Sequence, residues 1–181
     1  MSAQIANADV SAPDGSPIPA PGSSEPAGPS REVLVFELGG QRYGLPTVDV
    51  RELVRAVTIT RLPNAPAFIE GVVNVRGHIL PVLDVRARFH LPPKPLDPAD
   101  HFIVASAGPR GVILRVDRAM HLALVDESSV QSAQDLGSSA TYVAGVAKLD
   151  GGLVLIHELT TFLSAAEATS LDAALQAPAA E

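Results

Sequence analysis

From Val33 onward the chain is cut by Gly pairs and Pro into apolar runs too short for a helix, and this punctuation limits the fold more than any other feature. Val33-Leu34-Val35-Phe36-Glu37-Leu38, then Gly39-Gly40, then Gln41-Arg42-Tyr43-Gly44-Leu45 read as a hairpin, because tight turns need positive φ that Gly adopts without penalty. Val48–Leu53 is ambiguous between one helical turn and an extended piece. Thr58–Leu62 reads as a strand ended by Pro63, and Pro66–Glu70 as the first turn of a helix stopped by Gly71. Val72–Arg76 and Ile79–Val85 flank Gly77-His78 as a second hairpin, with Pro81 placing its missing N–H at an edge or bulge. Residues 91–100 hold four Pro and form a loop.

Further strands are expected at His101–Ala105, Gly111–Val116, Met120–Val125, Val143–Leu149 and Leu153–His157, the last two joined at Gly151-Gly152. A short helix is expected near Leu159–Leu163. A second spans Glu167–Gln176, with Leu171 and Leu175 on one face. About ten short strands with small helices predict an all-β barrel or sandwich. Two small barrels sharing a core and one larger sandwich fit the pattern equally.

Residues 1–30 differ in texture: six Pro, three Gly, six Ser and six Ala, with Ile5, Val10 and Ile18 as the only large apolar residues after Met1. Such a segment cannot bury enough surface to offset its ordering entropy and is expected to be a disordered tail. The domain is expected over 31–165, with 166–181 an Ala-rich terminal helix or tail.

Composition closes several doors. Acids outnumber bases 20 to 13 and the net charge is −7, which argues against a nucleic-acid partner. The absence of Cys excludes disulfides, Cys-based zinc sites and thiol nucleophiles. No apolar run approaches the ~20 residues of a membrane span, and the N-terminus carries no basic residue before Arg31, so no membrane insertion is expected and the compartment is expected to be the cytoplasm.

No constellation of chemical groups stands out. His78, His90, His101, His121 and His157 fall at no spacing that aims two rings at one ion. His157-Glu158 opens like a zincin helix, but Thr160-Thr161 occupy the place of the second His. Gly137-Ser138-Ser139-Ala140 lacks the second Gly of a nucleophile elbow. Gly108-Pro109-Arg110-Gly111 has no following Lys, and its Pro removes an N–H that a phosphate cradle needs. Leu80-Pro81-Val82-Leu83-Asp84 looks like a phospho-accepting strand, but the alternating helices of a receiver are missing, so Asp84 is expected to anchor a turn or pair with Arg86 or Arg88. No catalytic residue, metal or cofactor is expected, which favours a binding module.

The order of segments resembles the CheW-like domain family. Leu34-Val35-Phe36 with Gly39, Tyr43 and Gly44, then Val50-Arg51-Glu52-Leu53, is similar to its opening. Ile59-Thr60-Arg61-Leu62-Pro63-Asn64-Ala65-Pro66-Ala67-Phe68-Ile69 with Gly71 resembles its next block, and Asn74-Val75-Arg76-Gly77 through Pro81 to Asp84-Val85-Arg86 its hallmark stretch. Gly111-Val112-Ile113 with Val116-Asp117, and Leu153–Ile156 with Leu159 and Leu163, match its later strands and closing helix.

The resemblance implies two five-stranded SH3-like β-barrels packed through a common hydrophobic core. It also implies a non-catalytic adaptor, at receptor arrays beneath the inner membrane, that couples the cytoplasmic tip of a methyl-accepting chemoreceptor to the regulatory domain of a CheA-type histidine kinase. The alternatives are a CheW-like scaffold for a related motility or developmental pathway, or an unrelated β-barrel binding module. By position, Val50, Glu52, Gly71 and Arg76 would bind receptor, and Leu53, Ile59 and Glu70 would bind kinase. Gly71 and Val50 also admit purely structural roles. Arg76 could hydrogen-bond a partner's carboxylate or its own barrel. Glu70 stands where the family often has a basic residue, and His121 where it often has Glu.

Overall fold

The computed structural model describes residues 28–132 and 142–176. Its strands are β1 (Ser30–Leu38), β2 (Gln41–Pro46), β3 (Val50–Arg55), β4 (Ile69–Val75), β5 (His78–Leu83), β6 (His101–Ala107), β7 (Arg110–Val116), β8 (Arg118–Asp126), β9 (Gln131–Ser132), β10 (Val143–Leu149) and β11 (Gly152–His157). Helix α1 spans Val85–Arg88 and α2 spans Ala165–Gln176. The tail expected over 1–30 lies outside the described residues up to position 27, as do the 137–140 segment and the last five residues; Ser30 already belongs to β1.

Two sheets form, in the orders β8-β1-β2-β11-β10-β9 and β3-β6-β7-β5-β4. Neither ladder closes on itself. In the first, β8 and β9 are halves of one bent stave joined by a 3₁₀ turn at Glu127–Ser129, and β9 pairs with β10. In the second, the chain leaving β3 returns at Thr60, which bridges Val72 on the outer side of β4. Each unit therefore has five staves around its own interior, the SH3-like arrangement expected.

Apolar residues on both faces of the same strands join the two units. Along β1, Val33 and Val35 point into the first barrel with Val154 and Ile156, while Leu34, Phe36 and Leu38 point out into a second cluster. Along β6, Phe102 and Val104 fill the second barrel with Val73, Val82 and Ile113, while Ile103 and Ala105 point back to the cluster that Leu34 and Phe36 enter. The period of two thus sorts a near-continuous apolar run into three cores: one per barrel and one between them. Leu159, Phe162 and Leu171 cap the shared core, with Leu175 packed beside Leu171 as their spacing on α2 predicts.

Two local expectations fail, and a third is decided between its alternatives. Thr58–Leu62 is no strand: only Thr60 is bridged, and Pro63 lies outside any ladder. Pro66–Glu70 is no helix: Ile69 N–H donates to Pro66 O at 2.9 Å, one turn is made, and Ile69 then enters β4 opposite Leu83. Asp84 pairs with neither Arg86 nor Arg88 but caps α1 by accepting from Ala87 N–H at 2.9 Å, so the turn-anchor alternative holds. The ambiguous 48–53 stretch resolves into a 3₁₀ turn over Thr47–Asp49 followed by β3. Pro81 sits opposite Val72, whose N–H and C=O both bond Thr60, so the Val72–Pro81 pair needs no ladder bond from the Pro nitrogen.

Candidate functional site

The β4–β5 hairpin turns in two residues between Val75 and His78. Arg76 (φ 51°) and Gly77 (φ 89°) take the two positive-φ positions, and Asn74 Oδ1 accepts from Gly77 N–H at 2.8 Å. A mirror-image turn of this kind matches the strand twist and fixes where its side chains point. Arg76 reaches across the barrel mouth, with its Nη2 at 2.9 Å from Glu52 Oε2 on β3. The Arg76 side chain remains 79% exposed and Glu52 27%. A recess of about 300 Å³ opens beside the pair, lined also by Arg51, His78 and Leu80.

The faces of β3 diverge from there. Glu52 opposes Val104 on the barrel-interior side, whereas Leu53 opposes Ile103 and Val50 opposes Ala105, both members of the shared core; a bulge between Val50 and Glu52 shifts the phase. Val50 packs on that core, but β3 is the last strand of its sheet, so Leu53 runs out into solvent.

A larger cleft, about 630 Å³, lies where the 58–70 segment crosses the second barrel and includes Ile59 and Glu70 in its lining. Ile59 packs against the second-barrel core. Glu70 lies 3.2 Å from Arg115, and both side chains are largely buried. Burial pushes the Glu70 carboxyl up and outweighs the attraction of Arg115. Deeper in, Arg86 and Lys94 both hold Asp117 at 2.9 Å, and Lys94 also bonds Asp100 at 2.6 Å. Burial pushes Asp117 up as well, but the Gly39 N–H, Lys94 and Arg86 more than offset it and hold the carboxyl below its usual value. With its charges paired in this way, the cleft is suited to docking a surface rather than to moving protons.

Gly71 lies on β4, buried, at φ 153°. A Cβ there would stand 2.3 Å from Thr60 O, so the position is reserved for Gly by the bridge that closes the second barrel. Among the receptor-side residues named from sequence, Glu52 and Arg76 are therefore brought together, Val50 lies on the other face of β3, and Gly71 is enclosed. Among the kinase-side residues, Ile59 and Glu70 share the cleft, and Leu53 stands outside it on β3.

Leu122 and Leu124 on β8 are exposed apolar residues that sequence reading did not single out. Leu122 opposes Leu34, on the shared-core face of the first sheet, yet β8 is that sheet's outermost strand. Only the sheet order reveals this; the residues themselves read as core.

The CheW-like domain family model matches residues 32–167. The "Chemotaxis protein CheW" of Treponema pallidum is 27% identical over 146 residues, covering 77% of this chain and 86% of the relative. The "Probable chemotaxis protein CheW" of Rhizobium etli is 30% identical over 141 residues, covering 76% and 90%. The crystal structure of the scaffolding protein TtCheW from Thermoanaerobacter tengcongensis superposes with a TM-score of 0.68 at 30% identity, covering 76% of this chain and 94% of that one. The paired barrels, the hairpin carrying Arg76 and the matched span agree: this chain belongs to the CheW-like domain family.

Proposed function

We propose that this chain is an adaptor that couples chemoreceptors to a CheA-type histidine kinase and performs no catalysis of its own. It works in the cytoplasm beside the receptor array. The receptor's cytoplasmic tip engages the corner formed by Glu52 and Arg76 and reaches Val50 on the other face of β3, with Gly71 acting through the backbone it shapes. The kinase regulatory domain engages Ile59 and Glu70 at the cleft, with Leu53 at the other end of the segment that closes the second barrel.

One observation carries the reading. The Glu52–Arg76 corner and the Ile59–Glu70 cleft are separate recesses on one body whose barrels share a core, so two partners can be held at fixed relative positions. Contacts of this kind are individually modest and gain strength from valency. No helix among the described residues is long and apolar enough to cross a membrane, so a membrane-bound receptor would have to be reached through its soluble part.

The test is a pair of binding titrations, one against the purified regulatory domain of the cognate kinase and one against a receptor signalling hairpin. Ile59→Asp and Leu53→Asp should abolish the first and spare the second; Arg76→Gly should do the reverse. Loss of both by every variant, or binding to neither partner, overturns the assignment.

A further inference from the structure

Residues 50–116, the stretch that builds the second barrel, carry nine Lys and Arg against five Asp and Glu, in a chain whose net charge is −7. An imbalance of this kind bears on partners rather than on fold. Six of the nine cations meet a carboxylate of this chain: Arg76, Arg86, Arg88, Lys94, Arg110 and Arg115. Among the described residues Arg51, Arg55 and Arg61 meet none. Arg51 lies at the barrel mouth beside Glu52, with its Nε donating to Ser106 Oγ at 2.8 Å. The other two belong to a different surface.

Arg55 ends β3 and is exposed. Its Nη1 donates to Ala99 O at 3.3 Å, which leans it over the 91–100 loop. Pro93, Lys94, Pro95 and Leu96 of that loop line the cleft of about 630 Å³. Arg61 lines the same cleft from the 58–70 segment, exposed and without a hydrogen-bond or ion-pair partner among the described residues. Between the two arginines Val57 is 51% exposed, and Leu53, just before them, is 44% exposed. The chain from 53 to 61 thus interleaves apolar and cationic side chains along one surface.

The carboxylates nearby are engaged within the chain. Glu70 lies 3.2 Å from Arg115, Asp84 accepts from Ala87 N–H, Asp100 holds Lys94, and Asp97 accepts from Ala99 N–H at 2.8 Å. A guanidinium without a counterion offers a planar fork of donors that fits a carboxylate. Resting on the adaptor reading, we propose that the kinase surface seated here is acidic. An apolar knob enters between the 58–70 segment and the 93–96 stretch, and carboxylates beside it pair with Arg55 and Arg61. Leu53 and Ile59 supply the apolar contact, while the two arginines decide which kinase is accepted and how fast it is captured. A basic surface would set like charges together and is rejected.

The test is the rate and affinity with which the full chain binds the purified regulatory domain of its cognate kinase across a salt series. Association should slow as salt rises. Arg55→Glu and Arg61→Glu should each lower affinity about tenfold, mainly through the association rate, and flatten the salt dependence. Both should melt like the unaltered chain, as substitutions of exposed side chains do. Lys148→Glu makes the same charge change at an exposed residue of β10 and should leave affinity unchanged. No kinase binding by the unaltered chain overturns the adaptor reading and this inference with it. Kinase binding that ignores salt and both variants, that tightens in them, or that falls equally with Lys148→Glu overturns this inference alone.

Discussion

Arg76 Nη2 sits 2.9 Å from Glu52 Oε2, joining the tip of the β4–β5 hairpin to the strand across the barrel mouth. The pair is mostly in water on the Arg side, and exposed ion pairs contribute at most ~1 kcal/mol. Arg76 also holds φ at 51°, which a Gly would take without strain. Arg76→Gly is therefore expected to change unfolding free energy by less than about 1 kcal/mol in urea titration, while receptor binding falls sharply. A large stability loss would make Arg76 a structural residue instead.

Gly71 predicts the opposite pattern. Any Cβ collides with the Thr60 carbonyl and also meets a backbone φ of 153°. Gly71→Ala should destabilise by about 3 kcal/mol, through strain and loss of the Thr60–Val72 bridge. Amide exchange at Val72 should rise before exchange in the first barrel does.

Glu70 and Arg115 are both largely buried, so breaking the pair leaves a charge without its counterion. Glu70→Ala should cost about 3 kcal/mol, although Arg115 keeps its bond to Lys94 O. Because burial outweighs attraction at Glu70, replacing both residues with Leu and Met should cost much less than the single change. Denaturation of the two singles and the double closes the cycle.

His157 is buried among Tyr43, Phe89 and Phe162. Its Nδ1 lies 2.6 Å from Tyr142 O, and a carbonyl can only accept, so Nδ1 carries the proton and Nε2 is left without a partner. Burial lowers its pKa from 6.5 to about 4, against the pull of the Tyr142 carbonyl. Between those values the unfolded chain holds a proton that the folded chain lacks, so stability rises with pH across the window. It should be complete above pH 6.5 and fall by about 3 kcal/mol as the pH drops to 4. His157→Phe should flatten that slope in thermal melts between pH 4 and 6.5.

The hairpins were legible because their turns are written in Gly. Gly39 and Gly40 take φ of 62° and 79°, and Gly151 and Gly152 are positive as well. Two barrels rather than one sandwich could not be chosen from periodicity, since Val33 and Leu34 look alike until one knows that each face has its own core. Thr58–Leu62 has strand composition, but a single bridge is all that its path past β4 permits. The site was legible as residue types and not as geometry. Arg76 finds Glu52, and Glu70 finds Arg115, across distances in sequence that carry no local signal.

β1 has no side that faces water along Val33–Phe36, because each barrel claims alternate residues. Neither half could be excised and remain whole, and neither could pivot on the other without tearing a common wall. Anything held on the first barrel is thereby kept at a fixed distance from anything held on the second, with that one strand as the gauge.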